Sequence, residues 1–184
     1  MAFLKSKKTA VVVFIVLVLF SVLFGSHRSL NALRNDAMDV YINGDDTGLS
    51  ILANMNSIQE YTATLLKTAA THYTSDDDAY AALTAAYGQL AAAADAPDAA
   101  NHRQALTALT TACTSLQADY TGRSDIPQEA AKAMTRSIND ITSMKDQLRH
   151  SGYNAYAAEF NAVLETFPAG LLGSLTGVKA LPLF

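Results

Sequence analysis

The chain has 184 residues and a formal net charge of −4, and half of its residues are hydrophobic. Disordered chains are poor in apolar residues and rich in charge, so this composition excludes an acidic disordered tail. The single cysteine, Cys113, excludes an internal disulfide framework and a thiolate zinc cage. The 33 alanines and only 4 prolines favour helix, because alanine has the highest and proline the lowest intrinsic helix propensity.

Charge is distributed unevenly along the chain. Lys5, Lys7 and Lys8 precede residue 9, and residues 9–25 carry no charge. The other ten Lys and Arg and all seventeen Asp and Glu lie in residues 26–184, which gives this part a net charge of −7. Phosphate contacts need clustered positive charge, whereas the Lys and Arg residues here are scattered singly. We therefore expect no nucleic-acid partner.

Residues 10–25, AVVVFIVLVLFSVLFG, form an uncharged apolar segment that is short for a bilayer-spanning helix, which needs roughly 20 apolar residues with a range of about 17–25. The alternative is a cleaved signal peptide, but no A-x-A pattern follows, and the bulky pair Leu23-Phe24 stands where small residues are usual. We predict an uncleaved anchor that contacts the lipid bilayer through residues 10–25. Three lysines precede it and only Arg28 and Arg34 follow closely, so the positive-inside rule favours a cytoplasmic N-terminus and an extracytoplasmic body.

Beyond this segment, apolar residues recur every three or four positions, which is the spacing of one helix face. The stripes are Leu30, Leu33, Ala37 and Val40; Ile51, Met55, Ile58, Thr62, Leu65 and Ala69; Tyr80, Leu83, Tyr87, Leu90 and Ala94; Leu106, Leu109, Cys113, Leu116 and Tyr120; Met134, Ile138, Ile141 and Leu148; and Tyr153, Tyr156, Phe160, Val163 and Phe167. We predict that the first stripe continues the membrane helix. The last two are predicted to share one helix from about Pro127 to Thr166, roughly 60 Å long, in which Gly152 shifts the register.

No strand pattern competes outside the membrane segment. A repeated 3-4 step favours helices that cross near 20°, as in bundles with coiled-coil-like packing. The predicted fold is all-α, with an N-terminal transmembrane helix followed by a long antiparallel helical bundle of about four helices. Residues 1–26 are predicted to be the cytoplasmic N-terminus and anchor, 27–168 the bundle, and 169–184 an apolar tail that packs on the bundle, on lipid or on a partner.

The sequence offers no catalytic, cofactor-binding or metal-binding residue by motif, since it lacks the common zinc, dinucleotide, P-loop and hydrolase patterns. The Asp76-Asp77-Asp78 run lacks the alternating ligands and the glycine of a calcium loop, so we interpret it as a helix cap. Cys113 lies on an apolar stripe and is interpreted as a small buried hydrophobe. We expect the protein to need no cofactor or metal and not to be an enzyme.

The last third of the chain carries a short motif. Tyr153-Asn154 is followed by Phe160-Asn161, by Phe167-Pro168, and by an apolar tail that contains glycine and runs to Phe184. This order resembles the close of LemA family proteins, and Leu30 and Leu33-Arg34 resemble the stretch that follows the membrane helix in that family. The resemblance implies a short membrane helix, a long antiparallel bundle and a bacterial envelope protein without a known active site. We interpret the motif residues as structural, with Asn side chains that bond across helices; they are Tyr153, Asn154, Phe160, Asn161, Phe167 and Pro168.

The predicted function is therefore that of a membrane-anchored structural or interaction protein of the bacterial cell envelope. Its expected partner is an unknown envelope protein or a second copy of the chain. Three alternatives stay open: an extracytoplasmic sensor-type bundle that binds a ligand between its helices, a surface assembly subunit released by cleavage, and an enzyme of unrecognised type.

Overall fold

The structure is a computed structural model that describes residues 7–46, 48–95 and 98–184. These residues form seven α-helices and no β-strand, which confirms the all-α prediction. The helices are α1 (Lys7–Asn43), α2 (Ile51–Ala69), α3 (Asp78–Asp95), α4 (Ala99–Gly122), α5 (Gln128–Arg149), α6 (Tyr153–Glu165) and α7 (Ala169–Thr176). They group into two compact units, of which the first comprises Met1–Met38 and Tyr156–Leu181 and the second Asp39–Ala155 and Pro182–Phe184. The three-segment division drawn from the sequence stays a prediction.

Helix α1 runs without a break from the apolar segment to Asn43, as the first stripe predicts. Within the described residues it is the one helix that is long and apolar enough to span a membrane, and none of its most apolar stretch is buried by protein. Further along, Leu30, Ala37 and Val40 are buried as expected. Leu33 is exposed, so its assignment to the buried stripe is wrong. The N-terminal part of α1 therefore exposes its apolar side chains, whereas its C-terminal part packs against protein.

The stripes predicted for α2, α4 and α5 are buried as the 3-4 spacing indicates. Helix α3 differs, because its buried residues are Leu83, Ala86, Leu90 and Ala93, while Tyr80, Tyr87 and Ala94 are half-buried. The buried face of α3 is thus shifted by one residue at two positions, with Ala86 in place of Tyr87 and Ala93 in place of Ala94. Helix α2 packs against α3 and α5, α3 packs against α4, and α4 and α5 contact each other less extensively.

The prediction of a single helix from Pro127 to Thr166 is wrong, because the helix is interrupted between Arg149 and Tyr153 and forms α5 and α6. The break depends on a residue that is distant in sequence. The backbone N–H of Gly152 donates to Asp45 Oδ2 at 2.9 Å, and a Cβ added at Gly152 would collide with that carboxylate. Ser151 Oγ then accepts the N–H of Tyr153 at 3.2 Å, which starts α6. The change in periodicity at Gly152 therefore marks the boundary between two separate helices.

The predicted tail begins with a helix. Helix α7 follows Pro168 and ends at Gly177, whose φ of 75° is the left-handed conformation that glycine adopts at helix ends. Residues 178–184 have no regular secondary structure. Phe167 was expected on the buried stripe of the last helix, but its side chain is 87% exposed. The stripe ends with α6 at Glu165, so Phe167 lies outside the helix that would have turned it inward.

Leu109 tests the buried stripe of α4, because its side chain is fully buried. We expect Leu109→Ala to lower the free energy of unfolding by about 2–5 kcal/mol, through lost apolar burial and the cavity left behind. The measurement is urea unfolding of the full chain in detergent, followed by helical circular dichroism. Thr111→Ala on the exposed face of the same helix is the control and should change the free energy by less than about 0.5 kcal/mol. Equal effects of the two changes would contradict the assigned faces.

Candidate functional site

Asn154, in the first turn of α6, binds the last described residues of the chain. Its Oδ1 accepts the backbone N–H of Phe184 at 2.8 Å, and its Nδ2 lies 3.1 Å from the backbone oxygen of the same residue. Nδ2 also lies 3.2 Å from the carbonyl oxygens of Leu148 and Arg149, at the end of α5. The two N–H donors of this amide are shared among three carbonyl oxygens, so one side chain ties a stretch of chain without regular structure to the end of α5.

Asn161 binds the chain in the same way within the first unit. Its Nδ2 donates to the carbonyl oxygen of Leu181 at 2.7 Å, and its Oδ1 accepts the N–H of Leu181 at 2.8 Å. The Leu181 side chain is buried. An asparagine amide carries a donor and an acceptor side by side, so it pairs with both backbone groups of one residue as a neighbouring strand would. Both asparagines therefore bind the tail, and Asn154 in addition bonds across helices to the end of α5, as the expectation had it.

A cluster of buried rings surrounds Tyr153 in the second unit. The ring of Tyr153 lies edge-on to Tyr41 and to Phe184, with centroid distances of 5.4 and 5.8 Å. Its hydroxyl donates to the carbonyl oxygen of Pro182 at 3.0 Å. Edge-to-face pairs of this kind contribute about 0.5–1.5 kcal/mol beyond the area that they bury. The ring cluster therefore fixes the side chain of Phe184, while Asn154 fixes its backbone.

His102 is the polar member of this cluster. The Tyr41 hydroxyl is hydrogen-bonded to His102 Nδ1, and the two rings are 5.9 Å apart. The imidazole is fully buried, and its Nε2 has no hydrogen-bond partner in the part of the chain that the structure describes. Burial lowers the pKa of His102, which the carboxylate of Asp98 opposes in part. The neutral imidazole is therefore the form that fits this site.

The other motif residues are placed as follows. Phe160 is buried on α6, whereas Phe167 and Pro168 are exposed between α6 and α7. The structure thus brings Tyr153 and Asn154 together with the tail, places Phe160 in a core, and leaves Phe167 without protein around it. Sequence spacing did not indicate the Tyr41–His102 pair, because the two residues lie 61 positions apart.

Cys113 is buried in α4 as its stripe predicted. Burial in apolar surroundings raises the pKa of its thiol to about 11. The thiolate is the reactive form of cysteine, so at neutral pH the side chain is a protonated, unreactive hydrophobe.

The acidic run before α3 is part of an ion-pair cluster at the end of α4. Asp77 accepts the N–H of Thr74 at 2.7 Å and pairs with Arg123 at 3.2 Å, and both interactions lower its pKa. The Arg123 guanidinium lies 4.7 Å from the centre of the Tyr73 ring and also pairs with Asp125 at 2.8 Å. The Asp77 side chain caps the turn at Thr74, whereas the prediction had this run cap α3.

No group of three or more His, Cys, Asp or Glu side chains is placed to hold a metal ion in residues 7–46, 48–95 and 98–184. The chain matches no protein-family model, no curated protein and no solved structure. The resemblance to the LemA family therefore stays a prediction that rests on the motif residues.

Asn154 gives a direct test of tail binding. We expect Asn154→Ala to lower the free energy of unfolding by about 1–3 kcal/mol, because it removes the bonds to both backbone groups of Phe184 and to the carbonyl of Arg149. Urea unfolding of the full chain measures this, and hydrogen exchange at the Phe184 amide should accelerate. Asn139→Ala is the matched control, since Asn139 is exposed on α5. Unchanged exchange at Phe184 would show that Asn154 does not hold the tail.

His102 predicts a pH dependence of stability. Its pKa is lower in the folded protein than in the unfolded chain, so below about pH 6.5 the unfolded chain binds the additional proton and stability falls as pH falls. The limiting slope for one proton is about 1.4 kcal/mol per pH unit. We expect His102→Gln to flatten the wild-type decline in urea stability between about pH 7 and 5. The exposed His150→Gln is the control and should keep the wild-type slope.

Proposed function

We propose that this protein is a membrane-anchored, LemA-like helical bundle that serves as a structural or interaction protein at the bacterial cell envelope. One observation carries the proposal. Helix α1 continues without interruption from a segment whose large apolar side chains, Val11 to Phe20, Val22 and Phe24, are all at least 40% exposed, into a segment with buried residues. Apolar side chains exposed on every face of a helix are stable in lipid and costly in water.

The contacts among α2, α3, α4 and α5 support the bundle. Each of these helices contacts two of the others, in the pairs α2–α3, α3–α4, α4–α5 and α2–α5. These four pairs close a ring, and short connections join the helices in sequence. We propose that the four helices form an antiparallel four-helix bundle. Such a bundle presents long polar helix faces to a partner protein or to a second copy of the chain.

Helix α7 extends the membrane contact. Phe167, Leu171 and Leu175, four positions apart, are all more than half exposed. A Cβ added at Gly173 would lie 3.8 Å from Leu30 Cδ1 of α1. Leu30 lies five residues beyond Gly25, or about 7.5 Å along the helix, which is the depth of the lipid headgroup layer. We propose that this apolar face rests on that layer and supports a membrane segment that is short by itself.

The polar side chains support a role without catalysis, because many already have structural partners. The threonine hydroxyls of the helices donate to the carbonyl four residues earlier, as at Thr62, Thr84 and Thr107. The carboxylate of Asp98 caps α4, and Asn154 binds the tail. These polar groups therefore stabilise the folded chain through intramolecular hydrogen bonds.

The membrane anchor is tested by placing a charge in it. We expect Leu17→Arg to shift the full chain from the membrane to the soluble or aggregated fraction, because an arginine near the centre of a span costs about 2.5–3.5 kcal/mol. Alkaline extraction of membranes from expressing bacteria measures the distribution. Tyr61→Arg, on a partly exposed position of α2, is the control and should stay in the membrane. A wild-type chain whose mass shows cleavage near Gly25 would favour the released assembly subunit instead.

Orientation is read from the same membranes. An impermeant thiol reagent should label Lys132→Cys, which is exposed on α5, in right-side-out vesicles before lysis. The same variant should resist the reagent in intact inverted vesicles. The opposite pattern would place the body in the cytoplasm.

A further inference from the structure

A groove of about 270 Å³ opens in the second unit between α4, α5 and the last residues of the chain. It lies where α4 and α5 contact each other less extensively than the other neighbouring helices. Pockets for drug-sized ligands measure about 300–1,000 Å³, so this groove suits a smaller molecule of about ten heavy atoms.

Three cations line the groove. Arg103 comes from α4, and Lys145 and Arg149 lie one turn apart on α5. Among the described residues, none of the three has a carboxylate oxygen within 4 Å, and no Asp or Glu lines the groove. Lys145 Nζ instead donates to Thr110 Oγ1 at 3.2 Å. Residues 26–184 carry a net charge of −7, so three cations with no Asp or Glu among the lining residues are a local reversal of charge.

The remaining walls combine apolar side chains with the hydroxyls of Thr107, Thr110 and Thr111. Leu106 and Leu148 are buried at the base, and Leu183 and Phe184 form one side. The backbone of Phe184 is held by Asn154, and its ring packs against Tyr153 and Tyr41. The Asn154 amide also binds the carbonyls of Leu148 and Arg149. The wall formed by the tail is thus bonded to the same turn of α5 that carries one of the cations.

We propose that this groove binds a small soluble anion with an apolar or aromatic body. Its carboxylate or phosphate would pair with Arg103, Lys145 and Arg149, and its body would pack on Leu106 and Phe184. Guanidinium groups bind both kinds of anion through paired hydrogen bonds, so the shared chemistry is an anionic head on a compact apolar group. The site lies within the second unit and requires neither the membrane anchor nor the family resemblance.

The test uses the full chain in nanodiscs of zwitterionic phosphatidylcholine, with benzoate and phenyl phosphate as probes and calorimetry as the measurement. Both probes should bind saturably, with an affinity that falls when salt is raised to about 0.15 M. Benzamide, the uncharged counterpart of benzoate, should bind with an affinity at least about tenfold lower than that of benzoate. Comparison of the two anions shows whether the site prefers a carboxylate or a phosphate, and either preference supports the proposal.

The groove variant is Arg103→Gln/Lys145→Gln/Arg149→Gln, which should weaken probe binding by about tenfold or more. The control variant, Lys67→Gln/Lys132→Gln/Arg136→Gln, removes the same charge from exposed positions outside the groove and should bind as the wild type does. Thermal unfolding of each variant shows that it is folded, and the single variants Arg103→Gln and Arg149→Gln serve if the triple groove variant is not. Absence of saturable binding to the wild type would overturn the proposal, as would equal binding of benzamide or equal loss in the two triple variants.

Discussion

Backbone polar groups without helical or strand partners must find other partners, and near the end of this chain asparagine amides provide them. Asn161 binds both backbone groups of Leu181 in the first unit, and Asn154 does the same for Phe184 in the second. The ring cluster around Tyr153 and the wall of the groove both depend on the second of these bonds. The Tyr-Asn and Phe-Asn pairs of the motif therefore have a physical meaning: each aromatic residue enters a core, and the asparagine that follows binds the tail.

The sequence predicted those parts of the fold that depend on local periodicity. The buried stripes of α2, α4 and α5 follow from apolar residues at 3-4 spacing, and the turns follow from clusters of Gly, Asp, Ser and Pro. The break between α5 and α6 could not be read in this way. Its cause is Asp45, which binds the N–H of a residue 107 positions away. Helical periodicity on both sides of Gly152 carries no information about such a distant partner.

The candidate sites show the same limit. Motif order indicated that Tyr153 and Asn154 matter, but the Tyr41–His102 bond and the three cations of the groove come together only through packing. Arg103 and Arg149 look like ordinary solvent-facing residues on their own helices. Their proximity follows from a pair of helices that leave space between them, and from a tail that closes one side of that space. Phe167 shows the converse, because a residue that continues a stripe in sequence is exposed once the helix has ended.

Cys113 has a practical consequence. A thiol that stays protonated and out of contact with solvent does not couple to other chains in an oxidising compartment, and it does not compete for a maleimide dye under native conditions. One cysteine introduced on an outward face of any helix can then carry a single spectroscopic probe in the otherwise native chain. Distances and mobilities of this protein are measurable without first removing its own sulfhydryl.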